Sequence, residues 1–359
     1  MFWKRLEQSL FPKLHLQINI HHKLTSLKYP IMVQWLQQLP KYWRNRNVIT
    51  YLLWPFEVTY KIAWRLRQGA IRLGWIKQHR VNATVIVVGN VVVGGGGKTP
   101  LTMALVQRLV KQGFQVGVVS RGYGRVNTSL QIVNAHSLAS DVGDEPLMIF
   151  QKCKVPVAVG AQRVAAARQL LNLFPSLNVL VCDDGLQHTA LQRDIEICVL
   201  DAAGLGNGHL LPAGPLREPW PRHVDLLLHT HQRTLPEGFE SVRELSAFAL
   251  TSEGKQVLLT DLKFKPVEVV SGIAKPDAFL AMLEQGQFQI RHSTALPDHD
   301  NFQTWKPSHP ELPLLCTEKD AVKLWARFPQ ALAMPLMFEP ESSFWEAFDQ
   351  LFQSRHRYH

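Results

Sequence analysis

Val81 to Pro100 reads VNATVIVVGNVVVGGGGKTP, and no other stretch restricts the fold as strongly. A β-branched apolar run, Thr84–Val88, leads into four consecutive glycines, Gly94, Gly95, Gly96 and Gly97. Lys98, Thr99 and a helical pattern over Leu101–Lys111 follow. Strand, glycine loop, Gly-Lys-Thr and helix, in that order, make a phosphate-binding loop. Glycines let backbone N–H groups turn inward around phosphate oxygens, and the helix N-terminus adds its positive end at the same point. Lys98 is placed for the β- and γ-phosphates of a nucleoside triphosphate, and the Thr99 hydroxyl for Mg²⁺. The motif asks for glycine six residues before the lysine, where this chain has Val92. The reading therefore takes Val92, Val93 and Gly94–Thr99 as the nucleotide cradle. A glycine-rich turn without ligand is the alternative, and it leaves the strand-to-helix setting unexplained.

Further buried strands are expected over Gln115–Ser120, Val155–Val159, Leu177–Cys182, Ile195–Leu200 and Val224–Leu228, alternating with helices. Repeated βα units after a phosphate loop predict a doubly wound, mostly parallel sheet with helices on both faces. Ligands of such sheets lie at the C-terminal strand ends, where the chain's conspicuous polar clusters also fall. Ser120-Arg121-Gly122-Tyr123-Gly124 follows one strand. Val142-Gly143-Asp144-Glu145-Pro146 opens a helix, where acids serve either the helix dipole or chemistry. Asp183-Asp184-Gly185-Leu186-Gln187-His188 ends the Leu177–Cys182 strand, as metal-holding acids do in nucleotide-hydrolysing folds; a solvated Asp-Gly turn is the other reading. Arg217 and Glu218 sit in a loop of prolines and glycines, suited to phosphate charge and to metal or substrate respectively, or to a plain surface ion pair.

Residues 81–235 thus form the phosphate-loop unit. From about residue 236 to 359 the texture becomes more polar, and a second, smaller α/β domain is expected. Its segments include SGIAKPDAF (271–279), LPDHDNF (296–302) and TEKDAVKL (317–324). His299, between two acids, is read either as a proton-handling group or as a hydrated loop histidine. Four cysteines lack metal-ligand spacing and read as reduced thiols in apolar surroundings.

The chain carries a net charge of +10, and residues 1–80 account for it. They hold fourteen Lys and Arg against Glu7 and Glu57, together with six of the ten tryptophans. Residues 1–47 are a basic, aromatic extension, and residues 48–80 centre on a helix predicted within 50–76, beginning near Pro55. Lys61, Arg65, Gln68 and Arg72 form its polar stripe, with Phe56, Tyr60, Ala63, Leu66, Ala70 and Leu73 opposite. Basic charge with interfacial aromatics points to an anionic membrane surface rather than to nucleic acid. No run of eighteen apolar residues exists, which argues against a conventional spanning helix.

Eight motifs in order, VGNVVVGGGGKTP, SRGYGR, VGDEP, DDGLQH, AGPLREP, SGIAKPDAF, LPDHDNF and TEKDAVKL, make the chain resemble the tetraacyldisaccharide 4′-kinase family of lipid A biosynthesis. The family tolerates a non-glycine at the Val92 position. The chain departs from it in a longer extension and in Asp300, where a second histidine is common. The resemblance implies a peripheral enzyme on the cytoplasmic face of the bacterial inner membrane. It implies that Mg²⁺ and ATP phosphorylate the 4′-hydroxyl of an acylated glucosamine disaccharide 1-phosphate, giving lipid IVA. Carried across, Lys98 and Thr99 are phosphate and Mg²⁺ groups, and Asp144 is the base with His299 as its partner. Asp183 and Asp184 are then metal-site acids, and Arg217 and Glu218 are active-site groups. A membrane-associated switch ATPase is the rival reading. Its signature lysine falls at Val93 here.

Overall fold

The computed structural model describes residues 39, 42–94, 96–125, 128–273, 275–298 and 300–356. Most of the 1–47 extension lies outside them.

Helix α1, Val48–Arg72, is started by Asn47, whose side chain accepts the Thr50 N–H at 3.1 Å. Thr50 answers from its own side chain in a capping box. The helix therefore begins seven residues before Pro55, which lies inside it, because the Asn47 cap is the stronger start signal. Its orientation also differs from the expected stripe. The seam toward the protein buries Thr50, Glu57 and Ala70, whereas Leu52, Trp54, Phe56, Leu66, Leu73 and Trp75 are exposed. Polar partners explain this. Asn207 meets Thr50, the Leu210 N–H and His209 Nδ1 meet Glu57, and Tyr60 meets the Arg217 carbonyl.

The chain then alternates strands and helices: β1 (Thr84–Gly89), α2 (Lys98–Lys111), β2 (Val116–Ser120), β3 (Gln131–Ile132), α3 (Ala139–Val142) and α4 (Asp144–Cys153). β4 (Val157–Val159), α5 (Arg163–Leu173), β5 (Val179–Asp183), β6 (Ile195–Leu200), β7 (Leu226–His229) and β8 (Phe239–Leu245) follow. A second group comprises β9 (Phe248–Leu250), β10 (Gln256–Leu258), β11 (Pro266–Ser271), α6 (Pro276–Gln285), β12 (Gln289–Ala295), β13 (Leu314–Thr317), α7 (Glu318–Leu324) and β14 (Leu332–Met334). The chain closes with β15 (Leu336–Pro340) and α8 (Ser342–Arg355).

The first sheet runs β15-β8-β7-β6-β1-β5-β2-β4-β3, parallel except at its two edges, where β3 and β15 are antiparallel. The second runs β10-β9-β14-β13-β11-β12. The expected parallel sheet is present, but the boundary at residue 235 does not describe strand membership. β8 and β15 both pair within the first sheet, and α8 packs on its core. The return is a long-range pairing with no local signal.

Strand alternation builds a core on each face of the first sheet. In β1, Ile86 and Val88 face Leu101, Leu105 and Leu109 of α2 and Phe344, Phe348 and Phe352 of α8. Val85 and Val87 face Ala166, Ala167 and Leu170 of α5. This period-two division is what a strand buried on both faces requires. Phe348 is fully buried and pairs with Phe344, Trp345 and Phe352 rings. Phe348→Ala is expected to cost about 3–5 kcal/mol in denaturant unfolding, the usual range for a buried aromatic; a loss under about 1 kcal/mol would contradict the assignment of α8 to this core.

Candidate active site

β1 lies between β5 and β6, with Val88 opposite Asp183 and Gly89 opposite Cys198. The loop after β1 is thereby flanked by the strand ends carrying Asp183 and Asp201. Gly97 precedes α2 at φ +102°, and a Cβ there would stand 2.2 Å from Thr230 Cγ2. Backbone conformation and space both demand glycine at this turn.

Lys98 folds back over the loop. Its ammonium is 3.1 Å from the Gly94 carbonyl, 3.4 Å from Asn90 Oδ1 and 3.4 Å from Asp184 Oδ1. Asp184, itself at φ +51°, also receives Arg217 Nη1 at 3.2 Å. Burial alone would raise the Asp184 pKa, but Lys98 and Arg217 outweigh it and pull it down to about 2. Its neighbour behaves oppositely. Asp183 is 1% exposed, and burial plus the negative charges of Glu145 and Asp184 push it up to about 7. Asp183 Oδ1 accepts from Thr102 Oγ1 at 3.0 Å, while Oδ2 is buried with no hydrogen-bond partner among the described residues. A buried carboxylate oxygen without a donor, beside a phosphate loop and a buried Thr99, has the chemistry of an open Mg²⁺ ligand position. Among the described residues, no group of three or more His, Cys, Asp or Glu forms a metal cage alone. The set fits an ion that shares its ligands with phosphates.

The Arg217 loop is held from two sides. The Arg217 N–H donates to Val91 O at 2.7 Å, and the Tyr60 hydroxyl donates to Arg217 O at 2.6 Å. Val93 N–H donates to Pro215 O at 2.8 Å, and Val92 bridges to Leu216. Val92 and Val93 thus tie the phosphate loop to the Arg217 loop through backbone pairing, and the Val93 N–H is not free for phosphate. Glu218 is buried and engaged. Its oxygens accept from Arg222 Nη1 at 3.1 and 3.0 Å, and Oε1 accepts from Gln187 at 2.8 Å. Gln187 in turn donates to Asn90 O and accepts from Arg217. Glu218 therefore orders Gln187 and Arg222, and this one cation and one amide donor engage its carboxylate.

Asp144 is the first residue of α4. Gly143 before it, at φ +93°, sits against Gly122, where a Cβ would be 3.0 Å from the Gly122 Cα. The SRGYG and VGDEP loops interlock at this glycine pair. Lys323 of α7 reaches Asp144 Oδ2 at 2.8 Å, and Lys152 reaches Glu318 at 2.6 Å, so second-sheet residues meet the α4 side of the site. His188 is pushed down to about 4 by burial and by Arg163, Arg67, Arg193 and Arg121, which makes it a neutral imidazole near pH 7. Gly95 and His299 lie outside the described residues.

Lys98, Asp183, Asp184 and Arg217 are therefore gathered around the loop, with the start of α4 close enough for Glu145 to act on Asp183. Asn90, Gln187 and Lys323 were unassigned from sequence although each lies within a quoted motif. Tyr60 and Thr102 carried no signal, because their partners are 157 and 81 residues away.

A family model described as tetraacyldisaccharide-1-P 4′-kinase matches residues 49–354. The tetraacyldisaccharide 4′-kinase of Acidovorax sp. (strain JS42) is 46% identical over 313 residues, covering 86% of this chain and 92% of the relative. That of Polaromonas naphthalenivorans (strain CJ2) is 47% identical over 324 residues, covering 88% and 94%. Among solved structures, "apo" form LpxK from Aquifex aeolicus in complex with ATP superimposes with TM-score 0.76 at 29% identity, covering 86% of this chain and all of that one.

The raised Asp183 has a measurable signature. A carboxyl whose folded pKa exceeds its unfolded value stabilises below the unfolded value, and that contribution is lost as pH rises through the folded one. The metal-free protein should therefore lose stability between about pH 4 and 7 relative to Asp183→Asn. Parallel denaturation curves for the two proteins across this range would contradict the assignment.

Proposed function

The chain belongs to the tetraacyldisaccharide-1-P 4′-kinase family, and we propose that its site moves the γ-phosphoryl group of ATP to the 4′-hydroxyl of an acylated glucosamine disaccharide 1-phosphate, giving lipid IVA, in the following way. The observation that carries this reading is the gathering of Lys98, Asp183, Asp184 and Arg217 at the C-terminal ends of β1 and β5. The relatives' activity supplies the acceptor, and the ATP in the related LpxK structure supports the donor. No observation favours the switch ATPase.

Phosphoryl transfer requires positioning and charge stabilisation more than covalent chemistry. Lys98 leaves its intramolecular partners for the β- and γ-phosphates. Arg217, held by Asp184, Gln187 and Tyr60, faces the charge on the transferring group. Thr99 and Asp183, with Asp184 beside them, would hold Mg²⁺, which would neutralise charge on the phosphate oxygens. Asp144, in contact with Lys323, accepts the proton of the 4′-hydroxyl, and His299 is its proposed partner in tuning or relaying that proton. Glu218 acts as a positioning group through Gln187 and Arg222.

The acceptor's acyl chains confine it to a bilayer. Helix α1 suits a peripheral position on the cytoplasmic face of the inner membrane, with its apolar side chains outward and basic groups such as Arg65 and Arg72 also exposed. No helix among the described residues is long and apolar enough to cross. Through Tyr60 the same helix holds the Arg217 loop, so the catalytic arginine is tied directly to the interfacial element.

Two measurements test this reading. With acylated disaccharide 1-phosphate in mixed micelles, Asp144→Asn should lower kcat by about 10²–10⁴-fold with little change in KM, as loss of a general base does. Near-normal turnover would remove Asp144 from the chemistry. In vesicle flotation with anionic lipid, replacing Leu52, Trp54, Phe56 and Leu66 with serine should reduce binding by at least about tenfold; unchanged binding would place the membrane contact elsewhere.

A further inference from the structure

The SGIAKPDAF segment puts one cation where none of the steps above uses it. Lys275, immediately before α6, extends its ammonium across to Asp201 Oδ2 at the end of β6. The same carboxylate oxygen accepts the Gly96 N–H at 3.1 Å, and Oδ1 accepts the Ala203 N–H at 3.0 Å. Gly96 belongs to the phosphate loop, whose N–H groups serve phosphate oxygens. An anionic oxygen of the protein therefore already occupies a phosphate-loop donor. A second cation stands beside it. A Cβ on Gly96 would be 3.3 Å from Arg243 Nη1, and Arg243 Nε is buried with no hydrogen-bond partner among the described residues. Asp201 is nearly enclosed, at 6% side-chain exposure, whereas Lys275 is 51% exposed.

We propose that Asp201 stands in for a nucleotide phosphate in the unliganded protein, and that Lys275 is a second phosphate-binding lysine delivered by the loop between β11 and α6. The ligand is the polyphosphate of a nucleoside triphosphate, so the inference rests on the nucleotide-binding reading of the loop. An entering triphosphate competes with the Asp201 carboxylate for the Gly96 N–H and repels it. It also offers Lys275 a partner of higher charge than one carboxylate. Lys275 then transfers from Asp201 to the phosphates and draws the second-sheet segment over the nucleotide, while the Arg243 guanidinium, with Nη1 beside Gly96, adds positive charge near the same anion. Nucleotide binding and approach of the second sheet become one event, the closure that shields phosphoryl transfer from water.

The test is calorimetric binding of ATP with Mg²⁺, and of AMP, to the full chain and to three variants. Lys275→Ala should weaken ATP about tenfold, the effect of one lost charge-assisted hydrogen bond, and leave AMP unchanged. Lys275→Arg should stay within about threefold of the parent. Asp201→Asn keeps the acceptor for Ala203 and removes the competing charge, so it should bind ATP equally well or more tightly. A purely structural ion pair gives the opposite pattern, in which Lys275→Ala and Asp201→Asn weaken ATP alike. That result, or unchanged ATP affinity in Lys275→Ala, overturns the proposal. Should Asp201→Asn not fold, the comparison of ATP with AMP in the two Lys275 variants still decides. Failure of the unaltered chain to bind ATP overturns the phosphate-loop reading beneath it.

Discussion

The parallel pairing of β1 with β5 is the constraint from which the site follows. With Val88 opposite Asp183, the loop after β1 and the two acids after β5 leave the sheet side by side. The Lys98–Asp184 contact at 3.4 Å is the direct consequence. A shift of one residue in this register would turn Asp183 to the opposite face of the sheet. The buried, β-branched strands on both faces hold that register, so the hydrophobic cores position the chemistry as much as the motifs do.

Two adjacent carboxyls are held in different states by different neighbours. Asp184 is paired with two cations and stays ionised, whereas Asp183 is enclosed, touches one hydroxyl and keeps an oxygen without a donor. The site is thus short of positive charge at one oxygen and supplied with it at the next. Such division suits a phosphate and metal site: Lys98 and Arg217 rest on Asp184, while Asp183 Oδ2 has no donor among the described residues. Tyr60 extends this arrangement to α1, which turns its polar seam inward and its large apolar side chains outward.

Much of the first sheet was legible because its signals are local. The glycine loop, the buried strands and the acid-terminated β5 are each written within about ten residues. Three features were not. The helix starts at Val48 because Asn47 caps it, whereas Pro55, a common first-turn residue, lies inside it. The inward face of α1 was misread because its partners, Asn207, His209 and Leu210, lie some 150 residues further on. Return of the chain to the first sheet at β15 is likewise a long-range pairing. At the site, sequence offers Glu218 as a metal or substrate group but does not show that Arg222 and Gln187 engage it. Asp144 was open between helix stabilisation and chemistry, and its contact with Lys323 brings the second sheet to it.

A kinase site of this kind delivers phosphate to a sugar hydroxyl of a bilayer-held acceptor and not to water. Phosphorus NMR of the reaction with ATP, Mg²⁺ and acylated disaccharide 1-phosphate in mixed micelles tests it most directly. A new phosphomonoester signal coupled to H-4 of the distal glucosamine is expected, appearing in step with ADP. ATP converted to ADP and inorganic phosphate, with the disaccharide still singly phosphorylated, would contradict it.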